Sequence, residues 1–324
     1  MRDTPSVTFL AEYPELTPQM RSVLERMARL RHQPMHLMPP QEARANYASA
    51  ADVLEVPRRP LARVEDHVVP VRDGQPLPVR LYQADGPSRG VLLYAHGGGF
   101  TIGSIATHDI LCRELAALAG CAVVSVGYRL APEHRFPTAV EDCWDTLQWL
   151  VAARAGLGLA DAPIAVGGDS AGGTLAAVSA IQARDAGIPL ALQLLFYPGT
   201  TARQVSPSHR RYDHGLVLDQ AHITYFFGHY IDRDQREDWR FAPLEADDVE
   251  GVAPAWIGLA GCDPLFDDGI AYADKLRLAG VPVALEVWRG VTHEFIKMGR
   301  AIPEAREAHA AAAQALAAAF QATP

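Results

Sequence analysis

The sequence predicts an α/β fold: a mostly parallel, doubly wound sheet of about eight strands with a helical cap. Three observations predict it. From Val91 onward, short and nearly unbroken apolar runs alternate with longer runs of helical character. Strands buried on both faces read as continuous apolar runs, and a helix must return the chain between them. Ahead of this, Ala62 to Ala84 reads as two β-rich arms around Asp73-Gly74, a pair suited to a tight reversal, which predicts a β-hairpin. Finally, two segments fall outside the alternation and are assigned together to a cap. The expected division is residues 1–55 as the amino-terminal part of the cap, 56–199 as the first part of the core, 200–240 as the cap insertion, and 241–324 as the second part of the core.

In order, the strand-like runs and the helices following them are VLLYAH and HDILCRELAALAG, CAVVSVGY and AVEDCWDTLQWLVAARAG, then APIAVGGD and GGTLAAVSAIQARDAG. LALQLLFYP follows, then APAWIGLAG before DDGIAYADKLRLAG, and VPVALEVW before the Ala-rich end. Ala is the best helix former, so EAREAHAAAAQALAAAF reads as a terminal packing helix. In the cap, LTPQMRSVLERMARLRH reads as helical and leads into HQPMHLMPP; in the insertion, Ile223, Phe226, Phe227 and Tyr230 fall near helical spacing. That stripe suits an ordinary buried helix face or the wall of a substrate pocket. Phe226, Phe227 and Met38 are the candidate substrate-binding residues.

The 324 residues are 49% hydrophobic and 21% charged, with a net charge of −9 and no Lys/Arg run able to track a phosphate backbone. Nucleic acid is a poor partner for such a chain. The amino terminus lacks the apolar core of a secretory signal, and no stretch approaches the ~18 apolar residues of a membrane span. A cytoplasmic location is expected. Cys112, Cys121, Cys143 and Cys262 lack C-x-x-C spacing and read as small buried thiols. VPVALEVW, placed near a sheet edge, could pair with its twin in a homodimer.

Chemistry concentrates in a few places. Gly168 to Gly172 reads GDSAG between a strand-like and a helix-like run. A bare G-x-S-x-G arises by chance in roughly one chain in ten of this length, but strand, sharp turn and helix together are the arrangement that lifts a Ser hydroxyl above a sheet edge. Ser170 is the candidate nucleophile, at a helix amino end where free N–H groups favour an anion. Glycine is costly in regular structure, so the HGGG run at His96 to Gly99 needs a reason. Bare backbone can turn N–H groups toward an oxyanion, and Gly98, Gly99 and Ala171 are the candidate donors. A flexible turn is the bland alternative; a phosphate loop does not fit, since no G-x-x-x-x-G-K-[ST] or G-x-G-x-x-G is present.

Serine needs a base, and the base an orienting acid. His293 follows the last strand-like run at its carboxyl end, where α/β sheets build sites. Among the other histidines, His96 opens the glycine loop, His108 is expected to cap the next helix, and His134 lies in YRLAPEHRFP. Asp263 stands first behind its strand and is preferred as the acid; Asp267 and Asp268 read as helix-start residues. His293-Glu294 begins like H-E-x-x-H, but Lys297 stands where the second ligand belongs, so no metal is expected.

HGGGF, YRLAPEHRFP, GDSAGG, DPLFDDG and His293, in this order over nearly the whole chain, resemble the hormone-sensitive-lipase-like (family IV) bacterial carboxylesterases of the α/β-hydrolase fold. The order Ser170, Asp263, His293 is the one such hydrolases use. The resemblance implies a triad of these three residues and an oxyanion hole from Gly98, Gly99 and Ala171. It also implies a cap from the amino-terminal segment plus an insertion, and hydrolysis of short acyl or aryl esters, a small-molecule substrate, without a cofactor. Relatives usually carry Gly after the catalytic His, where this chain has Glu294. Amide hydrolysis or acyl transfer would use the same residues. A non-catalytic receptor role is disfavoured by the complete Ser, Asp, His set, and a dinucleotide oxidoreductase by the missing glycine fingerprint.

Overall fold

The computed structural model describes residues 8–30 and 33–322. The first seven positions, on which the reading of the amino terminus partly rests, lie outside the described residues. So do Arg31 and His32, the end of the first helical run, and the last two residues.

Eight strands form one sheet in the order β1-β2-β4-β3-β5-β6-β7-β8. β1 (Arg63–Pro70) and β2 (Pro76–Gln83) are the expected hairpin, antiparallel to each other, with β2 antiparallel to β4. Gly74, at φ 78°, sits in the reversal between them, a left-handed conformation that glycine adopts without cost. β3 (Val91–Ala95), β4 (Ala122–Val126), β5 (Ile164–Asp169), β6 (Leu192–Phe196), β7 (Ala255–Cys262) and β8 (Val283–Thr292) are mutually parallel. β3 to β6 are buried at every residue, as their unbroken apolar text requires. β1, on the edge, alternates half-buried and exposed residues over most of its length.

Helices cover both faces. α3 (Asp109–Ala119) and α9 (Pro303–Ala322) pack on one, together with Met20, Val23 and Leu24 of α1 (Pro18–Arg29). α4 (Thr138–Ala153), α5 (Ala171–Asp185) and α8 (Phe266–Leu278) pack on the other. α1 starts where Thr17 accepts a bond from the Met20 N–H and Pro18 takes the first helical position, whose N–H would be unsatisfied anyway.

β8 runs four residues further than the apolar text VPVALEVW suggests. Gly290 turns at φ 73°, the pairing with β7 shifts, and Thr292 pairs with Cys262. His293 therefore leaves the strand directly instead of standing further along a loop, and bulges of this kind re-aim side chains near sites.

The remaining segments lie over the carboxyl ends of the strands. α2 (Pro40–Ala50), α6 (Pro207–Arg211) and α7 (Gln220–Tyr230) come from the two segments that broke the alternation. Met38 and Ala43 from the first pack with Leu218, Ile223 and Phe226 from the second, and with Ile102 and Leu265 of the core. The Tyr225 hydroxyl donates to the Met38 carbonyl at 3.1 Å.

The sheet order has one decisive feature. The chain leaves β3 toward β4 on one side, and leaves β5 toward β6 on the other. The carboxyl ends of these neighbouring strands form a switch point, where open α/β sheets make a crevice. HGGG follows β3, and Ser170 follows β5.

Candidate active site

Ser170 is held at φ 55° and ψ −122°, a conformation that an L-residue adopts only under constraint. Its N–H donates to the Phe196 carbonyl of β6 at 2.9 Å. The surrounding glycines answer to sterics: a Cβ on Gly172 would lie 2.0 Å from the Ala95 carbonyl oxygen, and one on Gly168 2.4 Å from it. Strand, reversal and helix can be this close only with bare backbone. Ser170 then stands at the start of α5, whose first N–H groups have no helical acceptor.

Beside it, the structure brings together three side chains far apart in the chain. His293 Nε2 is 2.8 Å from Ser170 Oγ, and His293 Nδ1 is 2.6 Å from Asp263 Oδ2. Asp263 is fully buried and accepts a second bond at Oδ1 from the Leu265 N–H. Burial pulls the pKa of His293 down, but the Asp263 carboxylate, reinforced by Glu294 and Asp169, outweighs it and the net shift is upward.

The glycine loop faces the same point. Gly98 (φ 121°) and Gly99 (φ 57°) both have positive φ, and a Cβ on Gly99 would run into the Phe226 ring at 2.2 Å. Their N–H groups donate to nothing else among the described residues. The loop is held from behind by Asp169, the residue before Ser170. Its Oδ1 accepts from the Gly97 N–H at 3.0 Å and from the Tyr94 hydroxyl at 2.7 Å. Burial opposes ionisation of Asp169, yet His108 and these donors hold its pKa below the usual carboxylate range.

His108 corrects one expectation. It occupies the N-cap position of α3, but its side chain makes no capping bond. The ring turns inward instead, with Nε2 3.3 Å from Asp169 Oδ2 and Nδ1 2.9 Å from Thr107 Oγ1. A buried carboxylate offers the ring a charged partner that a helix end cannot match. His96 is buried with Nδ1 2.8 Å from the Gly97 carbonyl, and burial together with His108 pulls its pKa down to about 3. His134 is exposed. The four cysteines are buried and free, and no group of three His, Cys, Asp or Glu among the described residues could hold a metal ion.

Above these groups lies a pocket of about 90 Å³. Gly98, Gly99, Ser170, Ala171 and His293 line its floor, and Phe226 and Phe227 its wall. Met38 is buried in the cap cluster and does not line the pocket; Met35, three residues earlier, does. Asp267 and Asp268 fall in the first turn of α8 as the text suggests. Asp268 is nevertheless buried and pairs with His209, a contact 59 residues apart that no local pattern announces.

Glu294, at φ 62°, also reaches the pocket. The Tyr47 hydroxyl of α2 donates to Glu294 Oε1 at 2.5 Å, and Lys297 Nζ donates to the Tyr47 oxygen at 3.0 Å. Neither Tyr47 nor Lys297 has a sequence signal for this role.

Known proteins resemble this chain in sequence and fold. Residues 92–297 match the α/β-hydrolase fold family. The chain is 42% identical over 283 residues to an ethyl acetate hydrolase of Pseudomonas putida, covering 85% of this chain and 88% of that protein. It is 40% identical over 267 residues to an esterase of Mycobacterium tuberculosis, covering 78% and 82%. Among solved structures, an α/β-hydrolase enzyme from the metagenome of Lake Arreo, in its Ser161Ala form, superposes with a TM-score of 0.90 at 34% identity, covering 95% of this chain and 99% of that one. With the strand order, the strained serine and these likenesses in view, the chain belongs to the α/β-hydrolase family, in its hormone-sensitive-lipase-like branch.

Proposed function

We propose that this hydrolase is a serine carboxylesterase acting on short-chain acyl or aryl esters through an acyl-enzyme. The observation that carries the reading is the continuous chain Ser170 Oγ, His293 Nε2, His293 Nδ1, Asp263 Oδ2, with links of 2.8 and 2.6 Å, at the floor of a small, largely apolar pocket.

Ser170 Oγ attacks the ester carbonyl carbon while its proton passes to His293 Nε2. Asp263 accepts from Nδ1–H throughout, fixing the tautomer and stabilising the imidazolium without itself taking the proton. The carbonyl oxygen, now anionic, receives the N–H groups of Gly98, Gly99 and Ala171. Collapse breaks the bond to the alcohol oxygen, which leaves with the proton from His293. Water then repeats the sequence: His293 takes its proton, its oxygen attacks the acyl carbon, and Ser170 leaves reprotonated. One backbone donor in such a hole is worth roughly 2.7–4 kcal/mol of barrier. The pocket's small volume favours short acyl chains, in keeping with the named substrate of the Pseudomonas putida relative.

The test is hydrolysis of p-nitrophenyl esters from acetate to laurate by the wild type and by Ser170→Ala. We expect turnover that falls with chain length and drops by roughly 10⁴-fold or more in the variant. A variant that keeps most of the activity overturns the mechanism; activity rising toward laurate overturns the short-chain assignment.

A further inference from the structure

The pocket holds a second Asp–His pair that the hydrolytic steps above leave unused. His209, on α6, and Asp268, on α8, are 2% and 3% exposed, and both line the pocket that contains Ser170 and His293. His209 Nε2 is 3.1 Å from Asp268 Oδ1. The carboxyl is fixed from the other side, with Oδ2 accepting from the Thr200 N–H at 3.3 Å, while the Thr200 hydroxyl donates to the Asp268 carbonyl at 2.8 Å. One atom is left over: His209 Nδ1 is buried and has no hydrogen-bond partner.

Two features separate this pair from an ordinary structural contact. First, α6 is already tied to α8 without it. Ser208 Oγ donates to the Pro264 carbonyl at 2.6 Å, and the Ser208 N–H donates to Asp267 Oδ2 at 2.8 Å. Second, polar side chains beside it in the pocket are partnered: Tyr47 with Glu294, and His222 Nδ1 with Asp219 at 2.8 Å. A buried polar atom without a partner is costly, so one on a residue that lines the pocket points to a ligand that completes it.

The pair also restricts what that ligand can be. When Asp268 is ionised and the ring neutral, Nε2–H donates to the carboxylate and Nδ1 can only accept. When the ring is protonated, or the carboxyl donates to Nε2, Nδ1–H can only donate. Burial raises the pKa of Asp268 against the opposing pull of His209. A carbonyl or a carboxylate satisfies only the donating ring, whereas a hydroxyl satisfies every one of them.

We propose that His209, oriented by Asp268, is a hydroxyl-recognising subsite of the ester pocket, favouring esters that carry a hydroxyl group near the scissile bond. The proposal rests on the esterase reading of Ser170. The shared chemistry is the hydroxyl; it belongs to the acyl or to the alcohol half of the ester, and two substrate pairs distinguish these sources.

The experiment compares kcat/KM for p-nitrophenyl 3-hydroxybutyrate against p-nitrophenyl butyrate, and for 2-hydroxyethyl butyrate against ethyl butyrate. Wild type, His209→Leu, His209→Gln and Asp268→Asn are assayed as full-length chains. Each ratio cancels any general loss of activity. In the wild type at least one hydroxylated ester is preferred over its unsubstituted partner. In His209→Leu that preference falls about tenfold or more, and His209→Gln, which keeps a hydrogen-bonding group, retains part of it. Ratios unchanged across the variants in both pairs overturn the subsite. So does a wild type that prefers the unsubstituted ester in both pairs, a result that needs no variant to fold. The unsubstituted esters alone report on the esterase reading, so turnover there with unaltered ratios counts against the subsite only.

Discussion

Glu294 sits beside His293 in a left-handed conformation, with its carboxylate fixed by the Tyr47 hydroxyl. The groups that set the protonation of His293 are identifiable: burial disfavours the charged ring, while Asp263, Glu294 and Asp169 favour it, and together they leave its pKa raised. In the proposed mechanism His293 acts as general base only when neutral, so activity is expected to rise with pH as it loses its proton. Glu294→Gln removes one of the supporting charges yet keeps an oxygen for Tyr47. The pKa of His293 then falls, and the acidic limb of the kcat/KM profile moves to lower pH; a profile that stays in place shows the Glu294 charge to be screened from the ring. The same neighbourhood shows how far single residues can be read from text. Ser170, Asp263 and His293 each follow a strand-like run, so their common location at one sheet edge was legible. Asp169 with His108, and Tyr47 with Lys297, meet across 61 and 250 residues. Such pairs depend on how loops descend on the edge, which strand and helix periods do not encode.

At the scale of elements, α2 is latched to the core by the Arg44 guanidinium as well as by Tyr47 on Glu294 and by Gln41, whose amide donates to Glu133 at 3.0 Å. Arg44 Nε donates to the Thr101 carbonyl at 2.8 Å and Nη2 to the Ala131 carbonyl at 2.6 Å, while both nitrogens of its fork reach Glu133. Thr101 lies two residues beyond Gly99, so the latch joins the cap to the glycine loop. Its charged half is partly exposed and contributes at most about 1 kcal/mol; the carbonyl contacts give it direction. Arg44→Met is expected to raise KM for p-nitrophenyl butyrate severalfold, with a smaller change in kcat, and to lower the melting temperature by about 1–3 °C. An unchanged KM would mean that the remaining contacts of α2, among them Tyr47 and Gln41, suffice to seat it. The elements themselves were legible because apolar runs and their helices alternate cleanly. Their ends were less so: β8 continues to Thr292 only because the bulge near Gly290 restores its pairing with β7. A bulge leaves no apolar run to read.

For the molecule as a whole, the sheet has two edges, and they are treated differently. β1 carries Arg63, Glu65, Asp66 and His67, with Arg63 and Asp66 engaged in ion pairs, a charged border of the kind that discourages further pairing. β8 is ten residues long. Its far end is covered, where the Gly290 carbonyl accepts from the Thr17 N–H at 2.9 Å. The preceding stretch leaves Val287 39% exposed, with Leu285 and Trp288 partly buried on either side. The occupant expected from the sequence is a second copy of this chain: a two-fold axis at Val287 would set antiparallel β8 strands side by side and keep Glu286 away from its own twin, since like charges directly opposite destabilise a ladder. The expected result is a particle of twice the monomer mass in sedimentation and solution scattering at micromolar concentration. Val287→Asp, which brings two carboxylates together at the axis, is expected to return it to the monomer while Ser170-dependent ester hydrolysis persists, because Val287 lies ahead of the register shift near Gly290 that separates it from His293, just beyond the end of the same strand. A wild-type monomer under these conditions would show that Glu286 and Arg289 suffice to blunt the edge.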